Sequence, residues 1–433
     1  MKYAYWKSQI GYCLVSFFFI FSSVAAAEPA KRLTLNEALA TAESAHPDLL
    51  VAQAERDMAL ADQGIAASRQ DTSVNLEGIL RSGKQMTGNQ DFASDNSLRL
   101  TARKTLYDFG RTSAAESAAK SEVSAQDAAL IGTRDRLYLE IMSRYFDVLI
   151  ADMQYTADNE LMAVAYVTFD QGKDRLAVGQ ISPVDLAELE TRFQDLSLRR
   201  NASEQRQRIT RALLANAMNR PGNLPSEIED PELPGNQRIL PEYDSLISGM
   251  LLNNIRLRAN IALLAASQNR LEFFRAEKGP VLDAEVQAGD YSRSASTRDS
   301  LSAGVILTWP LYQGNRVDAR IAREQAQFHK LQAGTEKLKM ELTQALLEAY
   351  IEIGQFQRSG RSAAKKHMEF RDLALEKSRG QYEVELKTNL GTSMAETVEA
   401  TLRSRKNEYQ LALAFARLEA LLGTPLATQD KIK

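Results

Sequence analysis

Leu106-Tyr107-Asp108-Phe109-Gly110-Arg111 decides how this chain folds, because about 205 residues later the chain reads Leu311-Tyr312-Gln313-Gly314-Asn315-Arg316. Each copy stands between a segment in which apolar and polar residues alternate and a long segment of helical pattern. Such a repeat indicates that one structural unit occurs twice. Residues 219–242, between the units, are rich in proline and poor in apolar residues, as linkers are.

The N-terminus has the pattern of a secretory signal peptide. Lys2 and Lys7 precede an apolar run that is too short to span a membrane as a helix, and Ala25-Ala26-Ala27 provides a cleavage pattern of small residues. The only cysteine, Cys13, lies in this segment, so we expect no disulfide. The predicted divisions are the signal segment 1–27, a first repeat 28–218, the linker 219–242, a second repeat 243–426 and a tail 427–433.

Four segments alternate between apolar and polar residues, as strands with one apolar and one polar face do. In the second segment Leu98, Leu100, Ala102 and Leu106 share one face, and Arg99, Thr101, Arg103 and Thr105 share the other. Lengths of about 9 to 11 residues are those of membrane-barrel strands. We therefore expect lipid on the apolar faces and water on the polar faces, where Arg99 and Arg103 are candidates for the lumen; otherwise both are simply exposed strand residues. The four segments are residues 73–82, 97–107, 281–290 and 300–309.

Long helices are the other strong feature. No proline occurs from Arg111 to Lys173 or from Arg316 to Glu385, and each segment keeps a helical pattern for some 60 to 70 residues. At 1.5 Å per residue, such a helix is on the order of 100 Å long. A coiled coil or a tunnel needs helices of this length, whereas an ordinary globular core does not. A shorter helical pattern over residues 35–70 is interrupted at His46-Pro47.

A tight turn is predicted at the far end of each long helix. In Val178-Gly179-Gln180-Ile181-Ser182-Pro183-Val184-Asp185, Gly179 ends one helix, Ser182 caps the next, Pro183 takes the first helical position and Asp185 completes a capping box. In the second repeat Leu390-Gly391-Thr392-Ser393-Met394-Ala395-Glu396 offers Ser393 as the cap and Glu396 as its partner. Both repeats are thus expected to end in a helical hairpin.

Nothing in the sequence indicates covalent chemistry. The net charge of -3 and the lack of a basic stripe argue against a nucleic-acid partner. His46, His329 and His367 are far apart, so we expect no metal site. Motifs for a nucleophile or a phosphate loop are missing. We therefore expect a protein that is not an enzyme and needs no cofactor.

Taken in order along the chain, these features resemble the TolC-like outer membrane factors. The resemblance covers Leu33 to about Leu426 and is carried by the two repeated hexapeptides, Trp309-Pro310, the first tip, and the closing Leu421-Leu422-Gly423-Thr424-Pro425. It implies a mainly helical fold with a membrane β-barrel, in which a homotrimer builds twelve strands among outer-membrane lipids and a long helical periplasmic tunnel. It also implies two partners, a periplasmic adaptor of the membrane fusion type and an inner-membrane pump or ABC transporter.

The resemblance assigns roles to both hairpin tips. They are expected to contact the adaptor through the following residues: Val178, Gly179, Ser182, Pro183, Asp185, Leu390, Gly391 and Ser393. Two acidic residues three apart are expected to form a ring at the periplasmic mouth. Matching the caps places Glu396 and Glu399 there, with Asp185 and Glu188 at the corresponding places of the first repeat, although carboxylates in a first helical turn also serve as plain caps.

A gapless match instead places Gly391 and Met394 at the ring positions and leaves no acid ring. It also puts Glu385 where the family has a tip glycine. We favour the match on the caps, because cap geometry fixes the start of a helix. Tyr382 and Lys387 are further gate candidates that would bridge neighbouring helices, or else lie on solvated helix surface.

The expected function is a passive outer-membrane conduit for efflux of small molecules or for type I protein secretion, driven by the pump. The alternative is a periplasmic coiled-coil scaffold or adaptor without a barrel. That alternative explains the signal segment and the helices but not four matched alternating segments.

Overall fold

The computed structural model describes residues 32–43, 46–84, 91–223, 227–293, 298–384 and 390–426. The predicted signal segment and the tail 427–433 lie outside this range. In chain order the first half contains α1 (Leu35–Ala40), α2 (Pro47–Ala67), β1 (Ser73–Ile79), β2 (Ser82–Gly83), β3 (Ala93–Ser94), β4 (Ser97–Tyr107), α3 (Arg111–Ala177) and α4 (Pro183–Ala217). The second half contains α5 (Tyr243–Asn253), α6 (Ile255–Ala276), β5 (Val281–Tyr291), β6 (Leu301–Thr308), α7 (Arg316–Gln355), α8 (Arg361–Glu383) and α9 (Leu390–Leu422). Short 3-10 turns cover Thr41–Glu43, Ser68–Gln70 and Pro234–Gln237.

The fold is thus mainly helical with a small sheet. The helical pattern over residues 35–70 becomes α1 and α2, and the interruption at His46-Pro47 is the start of α2. There the His46 imidazole accepts a hydrogen bond from the Asp48 amide, and Pro47 occupies the first helical turn. This is a helix start in which a side-chain nitrogen replaces the usual oxygen acceptor.

Each alternating segment is a strand, and together they form one antiparallel sheet in the order β1-β4-β5-β6. The pairing of β4 with β5 joins the two halves of the chain. Its register aligns the apolar residues in rows across the sheet, one of which runs Leu76, Leu100, Ala288, Leu301. The neighbouring polar row runs Asn75, Thr101, Gln287, Ser302. One face of the sheet is therefore mainly apolar and the other mainly polar.

A β-bulge near the end of β4 changes which residues share a face. Thr105 pairs with Asp283, but the next pair is Tyr107 with Leu282, so Leu106 is the extra residue. The expectation that Leu106 continues the apolar row of β4 is therefore wrong in register. Tyr107 takes that position, because an extra residue inverts the alternation of the residues that follow it.

Two helical runs carry the length of the molecule. α3 has 67 residues, on the order of 100 Å at 1.5 Å per residue. The second run, α7 and α8, is interrupted by a five-residue π-turn at Phe356–Gly360 whose flanking residues keep α-helical dihedral angles. At the first tip α3 packs on α4, and at the second α8 packs on α9, while α9 also packs on α3.

The core lies where the linker crosses the long helices. The rings of Phe146 and Tyr409 are stacked with centroids 4.8 Å apart, which joins α3 to α9. Tyr145, fully buried, donates its hydroxyl to the carbonyls of Leu33 at 2.8 Å and Glu229 at 2.6 Å. These contacts fasten the start of the first half and the linker to the same point of α3.

No helix among residues 32–43, 46–84, 91–223, 227–293, 298–384 and 390–426 combines the length and the apolar character needed to cross a membrane.

Candidate functional site: the sheet and the helical tips

The polar face of the sheet carries ion pairs between neighbouring strands. Arg99 on β4 pairs with Glu77 on β1, and Arg103 on β4 pairs with Glu285 on β5, with Arg103 Nε 2.8 Å from the carboxylate. Both arginines thus lie on the face that the alternation predicts, and each has an acidic partner within the chain. Their place in a lumen stays a prediction.

The first tip is a tight turn between α3 and α4. Gly179 has φ 74°, in the left-handed region that favours glycine, and its amide donates to the carbonyl of Leu176 at 2.9 Å. Ser182 and Asp185 form both hydrogen bonds of a capping box, at 2.8 and 3.2 Å. The bond from the Ser182 amide lowers the pKa of Asp185. Val178, Ser182, Pro183 and Asp185 are exposed, as is Glu188 one turn further on.

Helix packing is close directly behind this tip. A Cβ added at Gly172 of α3 would lie 2.7 Å from the Cδ1 of Leu189 and 3.3 Å from that of Leu186, both on α4. The absence of a side chain at Gly172 therefore lets the two helices approach each other. The exposed turn is therefore supported by two closely packed helices.

The second tip differs from the prediction. Ser393 is not a helix cap, because α9 is already helical at Leu390; Ser393 is buried and its hydroxyl lies 2.8 Å from that of Ser378 on α8. The predicted capping box with Glu396 is therefore wrong. Leu390 and Gly391 are half-buried, and a Cβ at Gly391 would lie 2.7 Å from Val164 of α3. Residues 385–389, which include Lys387 and Glu385, lie outside the described residues.

The gate candidates on α9 have basic partners. Glu396 accepts a hydrogen bond of 2.5 Å from Arg371 on α8, and Glu399 lies 4.0 Å from Arg199 on α4. Arg199 also pairs at 2.7 Å with Asp158 of α3, whose side chain is almost fully buried. The match on the caps assumed that Ser393 caps a helix, which it does not. That match therefore has no advantage over the gapless match.

The partners of the gate candidates follow from the register of the α8–α9 hairpin. The pairs Ser378–Ser393, Arg371–Glu396 and Arg361–Glu408 lie nearly symmetrically about one point between α8 and α9. In an antiparallel helical hairpin, residues at equal distances from that point on the two helices lie next to each other. The sequence predicted the second turn within residues 390–396, but these residues lie in α9, so the contact with Arg371 was not foreseen. Tyr382, near the end of α8, is exposed to 64 %.

The family model described as outer membrane efflux protein matches residues 38–220 and 246–424, which is most of the chain and both halves of it. This chain belongs to the outer membrane efflux protein family. No curated protein sequence matches it.

Solved structures of an outer membrane protein and of outer membrane channels have a similar fold. VceC from Vibrio cholerae superimposes with a TM-score of 0.73 at 16% identity, covering 90% of this chain and 96% of VceC. CmeC from Campylobacter jejuni gives 0.74 at 14% identity, covering 92% and 87%. The open state of MtrE from Neisseria gonorrhoeae gives 0.69 at 15% identity, covering 90% and 89%. The chain is thus an outer-membrane protein with a periplasmic helical extension.

Proposed function

We propose that this outer membrane efflux protein is the passive channel of a tripartite export system. Three copies would build it, and an inner-membrane pump would supply the energy through a periplasmic adaptor. The observation that carries the proposal is the four-stranded sheet, whose apolar and polar residues align in separate rows across both halves of the chain.

The edges of the sheet support assembly from several copies. β1 and β6 are the outer strands and pair on one side only within the described residues. Unpaired backbone amides and carbonyls are costly in a bilayer, where no water replaces the missing hydrogen bonds. Pairing β6 of one copy with β1 of the next satisfies both edges. With four strands per copy, three copies would close a twelve-stranded barrel.

The polar face supports a conduit rather than a binding site. Its arginines are paired with Glu77 and Glu285, and Asp283 on the same face accepts a hydrogen bond from Thr105, so each of these charged groups already has a partner within the chain. A lumen of this kind would hold no particular solute tightly. Selection of cargo, whether small molecules or secreted proteins, therefore falls to the pump.

The tips are the proposed adaptor contact, with different contributions from the two halves. In the first tip Val178, Gly179, Ser182, Pro183 and Asp185 are accessible. In the second, Leu390 and Gly391 are half-buried and Ser393 is inaccessible in the single chain. Among these candidate residues, those of the first tip are therefore the ones that an adaptor can reach in the single chain.

The experiment that tests the channel uses the full protein expressed in an outer-membrane host. We expect a heat-resistant trimer in the detergent-extracted outer membrane and stepwise conductance when the trimer is reconstituted in planar bilayers. A monomer released with the soluble periplasmic fraction would contradict the proposal and favour a periplasmic scaffold.

A further inference from the structure

Four exposed aromatic residues surround the junction between the sheet and the helices. Tyr107 and Phe109 follow β4, and Trp309 and Tyr312 follow β6; we call these four residues the aromatic collar. They are exposed to between 52 % and 87 %, and the rings of Tyr107 and Phe109 are in edge-to-face contact at 4.7 Å. Large exposed apolar groups clustered at corresponding places of both halves indicate an interaction surface.

The β-bulge in β4 orients the collar. Through the bulge, Tyr107 pairs with Leu282, which in turn pairs with Leu307 of β6. Tyr107 therefore belongs to the apolar face; with regular alternation it would share the polar face with Arg103. Trp309 lies two residues beyond Leu307 and follows the same alternation. The bulge thus places aromatic residues from both halves on one face.

Two exposed basic residues are near the collar in sequence, and one of them, Lys104, shares the apolar face of the sheet. Lys104 lies in an apolar row, level with Ala284 and Val305, and is exposed. Arg316, four residues after Tyr312, is exposed and donates to Gln313 at 2.6 Å. In the described part of the chain neither cation pairs with a carboxylate.

The position of Lys104 limits what the collar can contact. Because Leu106 is the extra residue of the bulge, Lys104 and Tyr107 are two register positions apart, about 7 Å along the strand. A lysine on a lipid-facing strand is tolerated near the bilayer interface, because its long stem lets the ammonium group reach the headgroups while the methylenes stay in the acyl region. Aromatic rings favour that same level. Lys104 and the aromatic rings therefore both favour the interface between the headgroups and the acyl chains.

Near the junction between the sheet and the helices, positively charged side chains outnumber negatively charged ones. Glu277 is the shared partner of Arg111 at 3.1 Å and Arg320 at 3.0 Å, so one carboxylate serves two guanidinium groups. Lys104 and Arg316 add two more cations and the buried Asp108 adds one more carboxylate, so these residues together carry a net positive charge. Such a surface is complementary to lipid phosphates.

We propose that the collar, with Lys104 and Arg316, is a binding surface for anionic phospholipid headgroups in the periplasmic leaflet of the membrane. The aromatic rings lie at the boundary between headgroups and acyl chains, and the two cations pair with lipid phosphates. This inference rests on the proposed function, since the sheet must enter a bilayer for the collar to meet lipid.

Trp309 is the probe that tests it, because Trp6 is the only other tryptophan and lies in the predicted signal segment. The full protein carrying Trp6→Phe is reconstituted in phosphatidylcholine vesicles that contain phosphatidylglycerol, with bromine atoms on the acyl chains of one lipid or the other. We expect bromines near the carboxyl end of the chain to quench Trp309 more strongly than bromines near the methyl end. Brominated phosphatidylglycerol should quench about twofold more than brominated phosphatidylcholine at equal content.

Replacing both exposed cations, by Lys104→Gln and Arg316→Gln, should make the two brominated lipids quench Trp309 equally. The matched control, Lys330→Gln with Arg379→Gln, removes two exposed cations from α7 and α8 and should leave the twofold preference unchanged. Equal quenching by both lipids before any change, a preference that survives Lys104→Gln with Arg316→Gln, or stronger quenching by the deeper bromines overturns the collar assignment. Complete absence of quenching shows that the sheet is not in the bilayer and overturns the proposed channel itself.

Discussion

Leu100 and Thr101 are neighbours in sequence but belong to different environments. Leu100 lies in an apolar row with Leu76 and Ala288, and Thr101 lies in a polar row with Asn75 and Gln287. Both rows are accessible in the single chain, so burial within the chain does not explain their separation. The separation is explained if the two faces of the sheet meet different surroundings, lipid on the apolar face and water on the polar face.

Replacing Leu100 or Val305 by Asp should block assembly into the outer membrane, whereas Asp at Thr101 should be tolerated. A carboxylate on the lipid face of a membrane strand costs about 2 kcal/mol or more near the middle of the bilayer, and little on a watery face. The measurement is the amount of heat-resistant trimer in the outer membrane at equal expression. Equal amounts for all three variants would contradict a sheet with one lipid face.

Gly179 combines a left-handed backbone with open surroundings. A Cβ at this position meets none of the described heavy atoms within 4 Å, so a larger side chain would project away from the chain. Gly222 in the linker has a similar φ of 80° and equally open surroundings among the described residues. The two glycines therefore differ mainly in location.

Gly179→Leu should abolish export while leaving the trimer and its conductance intact, since the new side chain obstructs the surface proposed for the adaptor. Gly222→Leu imposes the same backbone strain, about 1 kcal/mol, and should leave export nearly normal. Export is measured as accumulation of a pump substrate in cells that carry each variant. Equal loss in both variants would trace the effect to backbone strain, and normal export by Gly179→Leu would move docking elsewhere.

Single residues also show where prediction from the sequence succeeds and fails. Ser182 and Asp185 were identifiable because a capping box is a local pattern and Pro183 marks the helix start. Ser393 and Glu396 have the same spacing but lie inside a helix, because α9 packs on α8 and α3 and these contacts extend it beyond the local signal. A cap pattern is reliable only where tertiary packing ends the helix at the same place.

Among the elements, the π-turn between α7 and α8 has a specific packing partner. Gly360 faces Asn407 of α9: a Cβ at Gly360 would lie 2.0 Å from Asn407 Oδ1. Nearby, Arg361 binds Glu408 through two hydrogen bonds of 2.7 Å, and this contact lowers the pKa of Glu408. The π-turn is therefore fixed by contacts with α9.

Gly360→Ala should destabilise the hairpin of α8 and α9, because Asn407 must turn away and lose its hydrogen bond to the Phe356 carbonyl, at a cost of about 1 kcal/mol. Gly334→Ala, in α7, meets no described atom within 4 Å and should instead stabilise its helix by about 0.5 to 1 kcal/mol. Hydrogen exchange of α8 amides measures the difference. Faster exchange in Gly334→Ala than in Gly360→Ala would refute the packing argument.

Strands and long helices were predictable because alternation and an unbroken helical pattern are properties of the segment itself. The β-bulge and the π-turn were not, since each depends on a distant partner. The extra residue Leu106 is recognised only from the pairing with β5, and the π-turn packs against Asn407 of α9, a contact that the local sequence does not indicate. Irregularities inside regular elements are therefore set by tertiary contacts.

At the scale of the whole molecule, three copies would bring the α8–α9 hairpins around one axis. Glu396 and Glu399 would then contribute six carboxylates, but Arg371 and Arg199 of each copy compensate part of that charge. An acid ring at the mouth would therefore be weaker than the carboxylates alone suggest.

The reconstituted channel should prefer cations modestly, and Arg371→Gln should increase that preference and the block by divalent metal ions added from the periplasmic side. Glu396→Gln with Glu399→Gln should abolish both effects, because the amides keep the size of the side chains and remove their charge. Reversal potentials in a salt gradient provide the measurement, with Asp195→Asn on α4 as the control. A block that persists without both carboxylates would redirect attention to Gly391 and Met394.

The contact of Tyr145 with Leu33 and Glu229 has a consequence for the order of folding. The core around it also includes Tyr409, so one cluster needs the beginning, the middle and the end of the polypeptide. Contacts between residues so distant in sequence close slowly, because the entropy of long loops is lost before the contacts form. The N-terminal half emerges from the secretion machinery long before Tyr409 does. We therefore expect the nascent polypeptide to keep this core open, and to need protection from aggregation, until its last helix has been delivered.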